Sequence, residues 1–147
     1  MTDQPAVLIC GHGSRDAEAI REFDSLAEGL AARLPGRAVA HAYLEFGRPM
    51  IRNGLEALKA RGARRIVCLP GMLFAAGHVK NDLPSEIQDF TRDNPDIEVV
   101  YGRDLDIDAR LIAASAARIE AAEAAATTMV AREKTLLLVV GRGTREI

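Results

Sequence analysis

A chain of 147 residues, 48% hydrophobic and 27% charged, has the length of one domain and a composition that excludes disordered and fibrous classes. Its 19 Lys and Arg against 21 Asp and Glu leave a net charge of −2, so neither nucleic acid nor a membrane is expected as a partner. The longest uninterrupted apolar runs, Leu136–Val140 among them, are five residues, against the roughly 20 that a spanning helix requires. Met1–Pro5 carries no basic flank or apolar stretch, and the chain is expected to be cytoplasmic. Cys10 and Cys68 lie in apolar runs without a partner at CxxC-like spacing, so both read as small buried hydrophobes in a reducing compartment.

The elements alternate. Ala6–Cys10 reads as a strand ending in the turn Gly11-His12-Gly13-Ser14, with Ser14 as the cap of a helix whose apolar positions are Ile20, Phe23, Ala27, Leu30 and Leu34. Pro35-Gly36 stops that helix. Ala38–Phe46 is expected to be the second strand, and Pro49 to open a second helix built on Ile51, Leu55 and Leu58. Arg65–Leu69 is the third strand, rich in β-branched residues that suit a sheet covered on both faces. A longer loop runs from Pro70 to Lys80, then Asn81 or Asp82 caps a third helix that tolerates Pro84 in its first turn. Ile97–Tyr101 is a fourth strand, Ile107–Met129 an Ala-rich fourth helix, and Leu136–Val140 a fifth strand. This alternation predicts an α/β/α three-layer domain on a mostly parallel sheet, with strand order 2-1-3-4 expected. Ligands then bind beyond the C-terminal strand ends, where the winding direction reverses.

On that rim stand the residues with chemistry to offer. His12 ends the first strand, His78 lies in the loop after the third, and Glu45 ends the second. Two imidazoles and a carboxylate suit a divalent first-row metal and also accept protons near neutrality. Taken singly, His78 also reads as a hydrogen-bonded loop histidine and Glu45 as a solvated acid, while His41 reads as a packed or surface strand residue. The turn ending in Ser14 resembles a weak anion cradle. Arg15, Arg48, Arg52 and Lys80 read as a solvated face or, clustered at a crevice, as a set able to neutralise a polycarboxylate. No GxGxxG, GxxxxGK[ST] or GxSxG pattern occurs, so no organic cofactor is expected.

Three segments together, Leu8–Arg15, Tyr43–Phe46 and Leu73–Pro84, resemble the CbiX/SirB family of class II chelatases, which insert cobalt or ferrous iron into sirohydrochlorin without ATP. The resemblance covers roughly residues 6 to 130. It implies that His12 and His78 are the metal-site histidines and Glu45 the acidic residue that accepts protons or assists the metal. It further implies a carboxylate-rich tetrapyrrole substrate for Ser14, Arg15, Arg48, Arg52 and Lys80, with Met72, Leu73 and Phe74 as a wall over the macrocycle. The metal substrate is expected to be Co2+, with Fe2+ and Ni2+ compatible with the same donors. A ferrochelatase of sirohaem synthesis, a non-catalytic metal or tetrapyrrole carrier, and a flavodoxin-like phosphate binder are the competing readings.

The last strand-like run repeats the first. Leu136–Arg145 aligns with Ala6–Arg15 at a constant offset of 130, with identities at Leu138, Gly141, Gly143 and Arg145, and Arg142 stands opposite His12. Residues 1–133 are therefore expected to form a first chelatase module, and 134–147 the start of a second, truncated one. An uncovered apolar strand pairs readily, so Leu136–Val140 is expected either to add to its own sheet or to pair with a second copy in a homodimer.

Overall fold

The computed structural model describes residues 4–73, 78–128 and 130–140, with the backbone alone at 78 and 79. The chain divides into two compact units, Met1–Asp106 and Ile107–Ile147. The first contains β1 (Ala6–Gly11), α1 (Ala17–Arg33), β2 (Val39–Tyr43), α2 (Ile51–Ala60), β3 (Arg65–Pro70), a π-helical turn (His78–Asp82), α3 (Leu83–Asp93) and β4 (Glu98–Tyr101). The second contains α4 (Ala109–Ala125) and a short 3-10 turn (Arg132–Lys134).

The sheet has the order β2-β1-β3-β4, as expected, and every pairing is parallel. All six residues of β1 are buried, which explains why its sequence shows no polar alternation: a central parallel strand is covered on both faces. Alternate side chains nevertheless go to different cores. Leu8 and Cys10 join Ile51, Leu55 and Leu58 of α2 and Leu83, Ile87 and Phe90 of α3 on one face. Val7 and Ile9 pack with Ala27 on the other, supported by Phe23, Leu30 and Leu34 of α1. The two-residue strand period thus distributes one apolar run between two helical layers. Close approach of α2 depends on Gly54, where an added Cβ would fall 2.7 Å from Leu8 Cδ1 and 2.8 Å from Ala42 Cβ.

Element ends differ from the sequence reading in instructive ways. The cap of α1 is Asp16, whose side chain accepts from Glu18 N at 2.9 Å, while Ser14 Oγ accepts from Asp16 N one step earlier. Pro49 stands outside α2, its carbonyl receiving Tyr43 N at 2.8 Å. Asp82 precedes α3 without a side-chain cap bond because it already belongs to the π-helical turn, so its backbone is helical rather than extended.

In the second unit, α4 opens on Asp108, which accepts from Arg110 N at 2.8 Å, and none of its residues is buried. Its alanine content supplies the helical preference that burial elsewhere supplies. The expected fifth strand is corrected: Leu136–Val140 carries no strand assignment, and its side chains are 60–93% exposed. An apolar run ending in two valines suits a strand, but a strand exists only once a neighbour completes its hydrogen bonds. No helix among the described residues is long and apolar enough to cross a membrane.

Candidate functional site

The chain leaves β1 for α1 on one face of the sheet and leaves β3 for α3 on the other, so the winding reverses between these neighbouring strands. His12 leaves the end of β1 at this point. Its pairing with β2 does not stop at the Gly11–Tyr43 register. Leu44 N donates to Gly11 O at 2.9 Å and Glu45 N donates to His12 O at 3.0 Å. The ladder is thereby continued into both loops and sets residue 45 beside residue 12. Gly13 completes the approach with φ +94°: a Cβ there would lie 1.6 Å from Glu45 O, inside the backbone itself.

Backbone contact brings the side chains together. His12 Nε2 lies 3.3 Å from Glu45 Oε1, both side chains about two-fifths exposed, and His12 Nδ1 is 3.1 Å from Gly13 O. With Nδ1–H donating to that carbonyl, the Nε2 lone pair turns toward the carboxylate. Two donors 3.3 Å apart, each about 2.1 Å from a shared cation, would subtend about 104° at it, close to tetrahedral. The same pair can instead share a proton. Among the described residues no group of three or more His, Cys, Asp or Glu is arranged to hold a metal.

Glu45 borders two depressions. One, about 550 Å³, is lined by Ile20, Glu45, Phe46, Gly47, Arg48 and Met50. The other, about 300 Å³, is lined by Leu44, Glu45, Asp82, Ser85 and Glu86. Phe46 is half-exposed at φ +54°, a conformation uncommon for a bulky residue and characteristic of functional loops. The Arg15 guanidinium lies over its ring, 4.7 Å from the centroid, a cation–π contact. Phe46 and Arg48 line the larger depression, and Arg15 is held on the Phe46 ring beside it. Both arginines were expected at the rim and Phe46 was not; its only signal was a bulky residue inside the turn-rich Phe46-Gly47-Arg48-Pro49.

The other expected residues fall in varied places. Arg52 bonds Asp93 at 2.6 Å, an exposed pair across α2 and α3 that holds the carboxyl below its usual range. Ser14 stands at the start of α1, where Asp16 already satisfies the Glu18 amide. Met72 packs on the core formed with α2 and α3, and its carbonyl accepts from Leu105 N at 3.0 Å. Leu73 is 55% exposed, and Lys80 is exposed in the π-helical turn. Phe74 lies outside the described residues, as does the His78 side chain; the His78 backbone opens the π-helical turn, a deformation frequent at functional sites. Cys10 and Cys68 are fully buried. The hydrogen bond to Cys68, followed by burial, pushes the Cys10 thiol well up from its usual range, so it stays protonated and packs as a small apolar group.

The CbiX family model matches residues 6–122. The sirohydrochlorin ferrochelatase of Priestia megaterium is 33% identical over 141 residues, 96% of this chain and 51% of the relative. The sirohydrochlorin cobaltochelatase of the same organism is 34% identical over 140 residues, 94% of this chain and 44% of that one. The chain thus spans about half the length of these curated relatives. Among solved structures, the sirohydrochlorin chelatase SirB from Bacillus subtilis subspecies spizizenii, in complex with cobalt, superposes with a TM-score of 0.77 at 32% identity, covering 82% of this chain and 51% of that one. A CbiX protein from Marinobacter aquaeolei shares the fold at a TM-score of 0.70 and 22% identity, covering 81% of this chain and 97% of that one. The family match runs from β1 into α4 and includes both loops that hold the His12–Glu45 pair: the chain belongs to the CbiX family.

Proposed function

We propose that this chain carries the site at which a divalent metal, Co2+ first and Fe2+ or Ni2+ as alternatives, enters sirohydrochlorin without ATP. The observation that carries this reading is the His12 Nε2–Glu45 Oε1 pair at 3.3 Å, set where the sheet's winding reverses and bordered by a depression with an aromatic face and cationic rim. Metal insertion exchanges one M2+ for two pyrrole protons. His12, with His78 from the loop after β3, would hold the ion; as the ring nitrogens take it over, Glu45 would receive one of the two pyrrole protons and an imidazole freed of the ion the other. Arg15 and Arg48 would meet substrate carboxylates, with Ser14 and Lys80 as further polar contacts and Met72, Leu73 and Phe74 as the apolar wall. Arg52, held by Asp93, is left out of this set.

The test is an absorbance assay combining protein, sirohydrochlorin and Co2+, repeated with Fe2+ and Ni2+. Insertion faster than the uncatalysed rate supports the enzyme; binding of metal or tetrapyrrole without acceleration overturns it in favour of a carrier. Cobalamin synthesis in the cytoplasm is the proposed setting if Co2+ is preferred, and sirohaem synthesis if Fe2+ is.

Residues 1–133 are proposed as the first module, and 134–147 as the beginning of a second, supported by the sequence repeat at an offset of 130. The exposed run Leu136–Val140 is the proposed surface for pairing with a second copy. Sedimentation of the wild type should show dimers that Leu138→Asp converts to monomers; equal sedimentation of the two would refute the pairing.

A further inference from the structure

Behind the site, α1 and β2 share a polar cluster that neither metal nor substrate binding accounts for. The Tyr43 hydroxyl donates to Asp24 Oδ1, and His41 Nε2 stands 3.0 Å from the same oxygen. The hydroxyl also lies 3.3 Å from Ile20 O. Tyr43 is 1% exposed, and a phenol buried so deeply requires a partner for its hydroxyl. Burial, reinforced by Asp24, pushes its pKa far above the usual tyrosine range, so the hydroxyl remains a donor throughout the neutral pH range.

The Tyr43 ring is the surface on which both site loops rest. A Cβ on Gly11 would fall 2.8 Å from the Phe23 ring and 3.1 Å from Tyr43 Cδ1, and one on Gly47 would fall 2.5 Å from Tyr43 Cγ. Gly11 directly precedes His12, and Gly47 follows Glu45 by two positions. The backbone is tied down as well, since Tyr43 N donates to Pro49 O at 2.8 Å. Phe23 supports the ring from α1 at a centroid distance of 5.3 Å, and His41 meets it edge-on at 5.7 Å. The ring therefore lies against both segments that present the two donors, and Asp24 holds it by its only polar atom.

We infer that Asp24 and Tyr43 are positioning residues: their hydrogen bond, buttressed by His41, sets the separation of His12 and Glu45. Outer hydrogen bonds of this kind act by orienting the groups that do the chemistry. The kinetic part of the inference rests on the chelatase reading; the geometric part does not.

The experiment uses the full chain and two readouts. Tyr43→Phe keeps the ring and removes the hydroxyl. It should lower kcat for cobalt insertion about tenfold while leaving KM for the tetrapyrrole within about twofold. It should also displace the His12 imidazole 1H–15N cross-peaks of the metal-free protein. Asp24→Ala, at a half-exposed position that should tolerate truncation, should do the same. Asp24→Asn, which retains an oxygen able to accept from Tyr43, should recover most of the loss. Ser25→Ala, whose exposed hydroxyl bonds Arg21 O within α1, is the control and should change neither readout. Should the wild type fail to insert metal, the chelatase reading falls while the His12 cross-peaks still decide the inference. Displaced peaks in Tyr43→Phe and Asp24→Ala uphold it, and unmoved peaks in both overturn it.

Discussion

His12→Ala should reduce metal insertion by about 100-fold or more, the range expected when a group that holds the ion or moves the proton is removed. Stability should change by less than ~1 kcal/mol, because the side chain is about two-fifths exposed and belongs to neither core. Glu45→Gln separates the two roles open to the carboxylate. An amide oxygen still offers a weak metal contact but accepts no proton, so a variant that binds Co2+ with near-normal affinity yet inserts it slowly assigns Glu45 to proton transfer. Loss of both assigns it to the ion. Cobalt absorbance titration and the insertion assay, each run beside circular dichroism, provide the readouts. Wild-type turnover in His12→Ala would remove the foundation of the proposed function.

Gly13→Ala is the most damaging single methyl group that the site predicts. At φ +94° an alanine is strained, and its Cβ would stand 1.6 Å from the Glu45 carbonyl oxygen. No rotamer relieves that overlap, so one of the two loops must move. Strain and overpacking together should cost roughly 2–5 kcal/mol, and insertion should fall to the level of His12→Ala because the two loops part. Gly36→Ala isolates the strain: its φ is +78° but nothing lies within 4 Å of the added atom, so it should cost only about 1 kcal/mol and leave insertion intact. Equal melting temperatures for the two variants would show that the loops do not approach as closely as described.

Much of this architecture was readable in the apolar pattern. Ala6–Cys10, Arg65–Leu69 and the stripe Ile51, Leu55, Leu58 announced buried strands and an amphipathic helix, and the structure contains them with the expected sheet order. His12 and Glu45 were legible as strand-end residues, and their meeting follows from β1 and β2 being neighbours. Polar partnerships were not legible. Arg52 resembled any rim arginine until α3 placed Asp93 against it, and His41 resembled a strand histidine until α1 placed Asp24 beside it. Leu136–Val140 had the composition of a strand, yet pairing is not a property of the segment itself.

The division follows the range of the forces involved. Apolar periodicity, Gly and Pro punctuation and helix propensity act within a few residues, so the amino-acid sequence by itself determined the order of elements, the central buried strand and the rim that carries His12 and Glu45. Hydrogen bonds and ion pairs are directional and short. Which oxygen faces which nitrogen depends on crossings between elements that lie far apart in the chain. Only the tertiary structure decided that Gly13 brings two loops into backbone contact, that Phe46 turns outward under Arg15, and that Asp24 holds Tyr43 against Gly11 and Gly47.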